Sequence, residues 1–409
     1  MSEARTRLAA RLRALRDQSG AGATANGVPD ALARAASVRR RALARIDDET
    51  LASRLGGRLL RPGVIRVDER LPADCRHGAW SLCEHGLGEA LSQLGGLACG
   101  ASSGWVFMDT ETTGLAGGTG TLVFVLGTAR FLPDGLQLEQ LFLTGFDAEQ
   151  AMLEEARSSL TEADVLVTFN GRSFDAPLLA TRFRLAGRAD PFARMRHVDL
   201  LHPTRRLFAK RWPDCRLQTV ERRLLGVERI DDLPGRDAPQ AFFDWLKHGR
   251  DAGLAAVARH NRLDLLSLAV LPAALKASHD DPLTADADVL ACARERQRAS
   301  PRGEAESFAF LAAHRAHLDA DGLLELARLA RRRRQWRLAV AIWEQLAGCG
   351  VAAAIEHLAK YYEHQRRDYR RASELTRDLI EQAPHARSHR RRAERLSVRL
   401  AGAGARRCE

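Results

Sequence analysis

The spacing of apolar residues changes period several times along the middle of the chain, and each change marks a different element. Trp105-Val106-Phe107-Met108 is an unbroken apolar run that stops at Asp109, the pattern of a buried strand. Thr121–Thr128 (TLVFVLGT) and Leu136–Leu143 repeat that pattern after short glycine-bearing turns, so three consecutive strands are expected to form a meander. The period then lengthens to that of an amphipathic helix at Ala148–Leu160 and shortens to a strand at Val165–Phe169. It lengthens again over Ala176–Leu185 and shortens at His197–Leu201. Helices follow at Pro203–Arg211, Gln218–Leu225 and Ala238–Lys247, with Arg229–Gly235 (RIDDLPG) as a turn. Gly253–Leu275 is apolar at helical spacing and reads as a largely buried helix. Strands alternating with helices define an α/β domain with a mixed sheet.

The flanks read differently. Ala4–Arg16 has leucines at helical spacing among arginines, Gly20–Pro29 is a small-residue break, and a helix is expected from Asp30 to Leu55. Gly56–Gly104 is punctuated by glycine, with a short strand at Gly63–Val67. After Leu275 the polar stretch with Asp280-Asp-Pro282 signals a linker, followed by a helix over Ala287–Ala299 and a break at Ser300-Pro301. From Glu304 to Leu400 the chain is helical throughout, and Trp336-Arg-Leu-Ala339 recurs as Tyr369-Arg-Arg-Ala372, 33 residues on. That spacing resembles tetratricopeptide-like helical hairpins, although two units fall short of the three usual in a free-standing array. The domains expected are therefore residues 1–103, 104–276, a linker over 277–303, and a helical region over 304–409.

Composition narrows the class. With 409 residues and 45% hydrophobic content the chain can bury more than one core. No apolar run approaches the ~20 residues of a membrane span, and arginines interrupt the N-terminus where a signal peptide would be apolar. Seven scattered cysteines fit no disulfide framework, so a reducing, cytoplasmic location is expected. Net charge is +11, distributed as +5 over residues 1–100, −2 over 101–305 and +8 over 306–409. Basic flanks around a slightly acidic middle suit a polyanion such as nucleic acid, and solvated arginine-rich helices account for them as well. The same alternatives hold for Arg331–Arg334 and Arg390–Arg392.

The chemistry lies in the middle domain. Asp109 and Glu111 are two residues apart on a strand and so share a face, where two carboxylates raise each other's pKa unless a divalent cation lies between them. Asp175 follows a strand, a glycine turn and Phe174, at the start of a helix whose N-terminus favours negative charge. His260 and Asp264 are four apart, on one face of an apolar helix. Singly, each has an ordinary explanation: strand-end surface, a first-turn acid, a satisfied core His–Asp bond. Cys75-Arg-His77 and Cys83-Glu-His85 lack the spacing of common structural zinc sites and read as ordinary residues.

In order, the set resembles the DEDD superfamily of 3′–5′ exonucleases on the ribonuclease-H-like fold, through Asp109-Thr-Glu111-Thr-Thr-Gly-Leu, Asn170-x3-Phe174-Asp175 and His260-Asn-x2-Asp264. More narrowly, Gly114-Leu-Ala-Gly-Gly-Thr-Gly120, Cys215-Arg-Leu-Gln-Thr-Val-Glu221, Asp231-Asp-Leu-Pro-Gly235 and His260-Asn261 resemble the bacterial YprB-like ribonuclease-H-like proteins. The resemblance covers residues 104–275. It implies a ribonuclease-H-like mixed sheet flanked by helices, and a site in which Asp109, Glu111, Asp175 and Asp264 hold two Mg²⁺ or Mn²⁺ ions. It further implies His260 as the general base, and Thr112, Thr113, Asn170, Phe174 and Asn261 as groups lining the nucleotide. One departure stands out. In histidine-type members the base lies five residues before the last Asp, whereas His260 lies four before Asp264, the spacing of tyrosine-type members. On a helix that rotates the group by about 100°. The expectation is a metal-dependent phosphodiesterase acting on DNA or RNA. The alternative is a catalytically weak nucleic-acid-binding or adaptor protein whose helical repeats recruit a protein partner.

Overall fold

The computed structural model of the chain describes residues 46–83, 90, 104–114, 120–161, 163–299 and 301–405. The expected helix at 4–16, the break at 20–29, most of the helix at 30–55 and the glycine run 115–119 lie outside the described residues. The described residues form two compact units, the first of those up to 202 with 216–274, the second of 203–215 with those from 275 onward.

The first unit is built on one seven-stranded sheet. Its strands are β1 (Arg58–Arg61), β2 (Val64–Pro72), β5 (Trp105–Thr112), β6 (Val123–Leu132), β7 (Gly135–Leu143), β8 (Val165–Thr168) and β9 (Arg196–Asp199). Two short strands, β3 (Arg76–His77) and β4 (Trp80–Ser81), pair separately. The order across the sheet is β1-β2-β7-β6-β5-β8-β9. The expected meander is β5–β6–β7, all antiparallel, and β8 and β9 add parallel strands on the other side of β5. A difference from expectation lies at residues 58–72. They are not a separate lead-in but two more strands of the same sheet, with β2 paired to β7 along its whole length. The short strand expected at Gly63–Val67 extends through the charged run Asp68-Glu69-Arg70 to Pro72 because β7 pairs with it that far.

The unit's helices are α1 (Asp48–Arg54), α2 (Glu149–Thr161), α3 (Asp175–Leu185), α4 (Leu201–Phe208, passing into the second unit), α5 (Leu217–Val220), α6 (Ala238–His248) and α7 (Ala252–Asp280). Phe124 and Gly127 of β6 lie three apart and so on opposite faces of the sheet. Phe124 stacks on Phe242 of α6 at 4.6 Å between ring centroids. Gly127 meets α7, where a Cβ would come within 2.2 Å of Asn261 Oδ1 and 2.8 Å of Leu265. Helices thus cover both faces, which is why β6 is buried over most of its length.

The second unit is all helical: α8 (Val289–Ala299), α9 (Gly303–Ala313), α10 (Ala320–Arg332), α11 (Trp336–Gly348), α12 (Ala352–Tyr361), α13 (Tyr369–Gln382) and α14 (Arg387–Ala405). Each packs on the next around Leu326, Ala327, Ile342, Trp343, Leu358 and Leu375. Trp336 and Tyr369, the two starts of the sequence repeat, each open a helix. The stretch 277–303, expected as a linker, carries the end of α7 and all of α8. Leu290 and Ala293 bury in the helical core, so the proline break turns the chain without freeing it. Of the arginines offered as phosphate contacts, Arg392 is buried beside Glu356 and Glu363, and fully buried Glu363 also binds Arg395. Among the described residues no helix is long and apolar enough to cross a membrane.

Candidate functional site

β5 runs apolar and buried from Trp105 to Met108 because it lies between β6 and β8 in the middle of the sheet. Its polar end therefore emerges at the carboxyl edge of the parallel strands, the usual place for a site in such sheets. Asp109 pairs with Gly127 and Glu111 with Val125 of β6, and the register slips between Glu111 and Thr112. The alternation of the strand puts both carboxylates on one face, as their spacing requires.

β8 ends at Thr168, and the turn after it delivers Asp175. Asn170 takes a left-handed conformation (φ 67°), which asparagine tolerates better than most residues. Gly171 sits where a Cβ would lie 2.6 Å from Thr168. Buried Asp199, at the end of β9, accepts hydrogen bonds from the amides of Asn170 (2.7 Å), Arg172 (3.0 Å) and Leu201 (3.1 Å). The turn is therefore tied to the neighbouring strand, and Asp175 opens α3 with its Oδ1 accepting from Thr110 Oγ1.

The third contributor is α7. Asn261, fully buried, donates to Asp109 Oδ2 (2.7 Å) and accepts from Gln140 Nε2 (2.8 Å). His260 points Nε2 toward Glu111 Oε1 (3.9 Å) and Asp264 Oδ2 (3.8 Å). Its Nδ1 lies 2.8 Å from Asp232 Oδ2. Buried Arg229 binds Glu221 with two hydrogen bonds of 2.6 Å, Asp232 at 2.9 Å, and Asp264 Oδ1. Beneath it, His77 Nε2 bonds Ser267 Oγ (2.8 Å), which donates to Glu221. His77 is thus occupied in a structural chain; His85 lies outside the described residues.

Electrostatics make this a strained collection of acids. Burial, then repulsion from Asp264, Asp175 and Glu111, lifts the Asp109 carboxyl well above its usual range, against the Asn261 bond. Burial and the charges of Asp264, Asp175 and Asp232 push Glu111 up to about 8. Burial raises Asp175 to about 6, with the Thr110 bond acting the other way. Burial would raise Asp232 too, but the bonds and charges of Arg229 and His260 outweigh it and hold that carboxyl low. Arg229 itself is held firmly charged: burial opposes this, and its Glu221, Asp264 and Asp232 partners prevail.

All four expected carboxylates and His260 are therefore brought together. Among the described residues, however, no three His, Cys, Asp or Glu side chains stand in metal-ligating geometry. One oxygen each of Asp109, Asp175 and Asp264 is instead bound by Asn261, Thr110 and Arg229. The donor set fits a hard divalent cation, because it is all carboxylate oxygen under mutual repulsion. Of the groups expected to line a nucleotide, Thr112 donates to Gly114 O and Thr113 accepts from Leu122 N, so both hydroxyls close the hairpin end. Asn170 serves through its backbone, Asn261 orients Asp109, and Phe174 is 55% exposed beside Asp175. Thr110, Gln140, Asp199, Glu221, Arg229 and Asp232 were not singled out in the sequence as site residues. The sequence signal for the last two is the RIDDLPG turn, of which Asp231–Gly235 carries the family resemblance.

The fold and the gathered carboxylates define a ribonuclease-H-like domain, and residues 106–276 match the RNase_H superfamily. Over 372 residues the chain is 32% identical to the uncharacterized protein YprB of Bacillus subtilis (strain 168), covering 81% of this chain and 83% of that protein. The chain belongs to the YprB family. Among solved structures, it is similar at 15% identity and a TM-score of 0.35 to the family B DNA polymerase from the hyperthermophilic archaeon Pyrobaculum calidifontis. That match covers 67% of this chain and spans only 34% of the polymerase, a likeness too slight to bear on the reaction.

Proposed function

We propose that the protein is a metal-dependent nuclease that hydrolyses phosphodiester bonds, acting as a 3′–5′ exonuclease of the DEDD type. The observation that carries this reading is the convergence of Asp109, Glu111, Asp175 and Asp264, where burial and repulsion from the neighbouring acids raise the carboxyl of Asp109 and push that of Glu111 up to about 8. A protein has little reason to gather four such acids on one site unless a cation or cationic ligand relieves them. These residues would hold two Mg²⁺ or Mn²⁺ ions. When bound, such ions neutralise charge on a phosphate and make water a better nucleophile.

The chain's own groups then divide the work. Asn261, held by Gln140, orients Asp109, and Thr110 orients Asp175. His260 Nε2, facing Glu111 and Asp264, takes the proton of the attacking water. The water oxygen bonds to phosphorus, the bond from phosphorus to the leaving sugar oxygen breaks, and that oxygen takes a proton from solvent. Exposed Phe174 offers a face on which a terminal base can stack. The helical region, read as tetratricopeptide-like, adds exposed arginines such as Arg331, Arg333 and Arg390 for a phosphate backbone.

One observation favours a second reading, a nucleic-acid-binding protein with little catalysis: Arg229 binds Asp264 directly and occupies one of the acids a metal would use. The deciding experiment incubates end-labelled DNA and RNA oligonucleotides with Mn²⁺ or Mg²⁺ and resolves the product ladder. Wild type should shorten substrates stepwise from the 3′ end, and Asp109→Ala should lose roughly 10³-fold or more in rate while still binding. Equal behaviour of the two proteins would sink the nuclease reading.

A further inference from the structure

His260 has two ring nitrogens, and only one of them faces the four carboxylates. Nε2 lies 3.9 Å from Glu111 Oε1 and 3.8 Å from Asp264 Oδ2. Nδ1 faces away, 2.8 Å from Asp232 Oδ2, on the loop that follows Gly226. The two side chains are 9% and 8% exposed, so water does not compete for this bond. Arg229 NH1 is also near, 2.9 Å from Asp232 Oδ2 and 3.1 Å from His260 Nδ1. The contacts of Nδ1 ask for opposite tautomers. The guanidinium can only donate, which requires a lone pair on Nδ1; the ionised carboxylate can only accept, which requires a proton there. The carboxylate contact is the shorter, and an unprotonated Nδ1 would place two lone pairs face to face at 2.8 Å. Arg229 NH1 already has its acceptor in Asp232.

We propose that Asp232 is the positioning residue of His260, fixing the proton on Nδ1 so that Nε2 presents its lone pair to the space between Glu111 and Asp264. This deepens the nuclease reading and rests on it for its purpose, since a base needs its lone pair on the side where water is activated. It also accounts for a histidine four residues before Asp264. The ring is set by a partner on the 229–235 loop, and the loop compensates for the changed helical position.

The two halves of the test are separable. In metal-free full-length protein labelled with ¹⁵N-histidine, long-range ¹H–¹⁵N spectra report which ring nitrogen carries the proton; His260→Gln assigns the signal. Wild type should show the Nδ1–H form. Asp232→Ala should switch to Nε2–H, because Arg229 NH1 is then free to donate into Nδ1. Asp232→Asn should keep Nδ1–H, its amide oxygen held toward the ring by the same arginine. With Mn²⁺ and oligonucleotide, Asp232→Ala should lose about 10²-fold in kcat with KM and Mn²⁺ affinity unchanged, and Asp232→Asn should return to within about tenfold of wild type. An Nε2–H signal in wild type overturns the proposal even if the enzyme is active. Absence of hydrolysis alongside an Nδ1–H signal overturns the nuclease reading and leaves the tautomer assignment standing. Asp232→Asn as slow as Asp232→Ala, with Nδ1–H retained, also overturns the positioning role.

Discussion

The pH dependence of folding should reveal the carboxylate cluster without any assay of activity. Glu111 is buried and its carboxyl is pushed up to about 8. In the unfolded chain it would ionise near its ordinary value, about 4.3. Between pH 6.5 and 8.5 the unfolded carboxyl is ionised throughout, whereas the folded one gives up its proton within the interval. The folded state binds more protons there, so stability falls as pH rises. Integrated over those two pH units, Glu111 alone costs about 2 kcal/mol. Asp109, raised well above its usual range, acts in the same direction. His77 and His197, each lowered to about 4 by burial and then by neighbouring charge, work the other way: unfolded, each still binds about half a proton at pH 6.5 that the folded ring does not, so each returns about 0.4 kcal/mol of stability over the interval. For a unit of this size, the net of about 1 kcal/mol corresponds to a fall in Tm of about 2–4 °C. Thermal unfolding followed by circular dichroism in chelator at pH 6.5 and 8.5 measures it. Glu111→Gln should remove most of the slope. Millimolar Mn²⁺ should raise Tm more at pH 8.5 than at 6.5, because binding needs the ionised acids. A chelated wild type whose Tm stays level or rises over this interval, and does not respond to Mn²⁺, would refute the reasoning.

Gly127→Ala should destabilise the first unit by about 1–3 kcal/mol in urea unfolding, because the new Cβ would lie 2.2 Å from Asn261 Oδ1. It should also lower Mn²⁺ affinity, since Asn261 cannot both move aside and hold Asp109. Asp199→Ala removes the acceptor of three backbone amides and should cost about 3 kcal/mol or more. Fluorescence from a reporter at position 174 should then show a loosened turn. Glu363→Ala removes the fully buried carboxylate that binds Arg395 with two hydrogen bonds and lies 3.6 Å from the buried guanidinium of Arg392. The helical unit should lose about 3–5 kcal/mol, read by calorimetry, while first-unit unfolding stays unchanged.

How much of this was legible in the sequence depends on the range of the interaction concerned. The strands at 105–112, 123–132 and 135–143 and the long helix from 252 announced themselves, because local periodicity reports a buried face directly. Asp109, Glu111, Asp175 and Asp264 were legible as an ordered set, since spacing and flanking elements place each at a strand end or on a helix face. A short strand at 63–67 was legible, but its extension to 72 and its place in the same sheet were not: the charged run 68–70 is held in a strand by pairing with β7, more than sixty residues on.

The surroundings of the acids were decided by tertiary structure alone. Nothing local marks Arg229 as the cation buried against Asp264, or Asp232 as the partner of His260, because both lie on a turn whose polar residues read as solvated. Their roles arise where that turn folds over α7 and excludes water, and there an ordinary carboxylate becomes a hydrogen-bond partner that sets a tautomer. The sequence by itself determined which acids face inward. Only the packed structure decided what each of them touches, since burial and like-charge repulsion act through space and not along the chain.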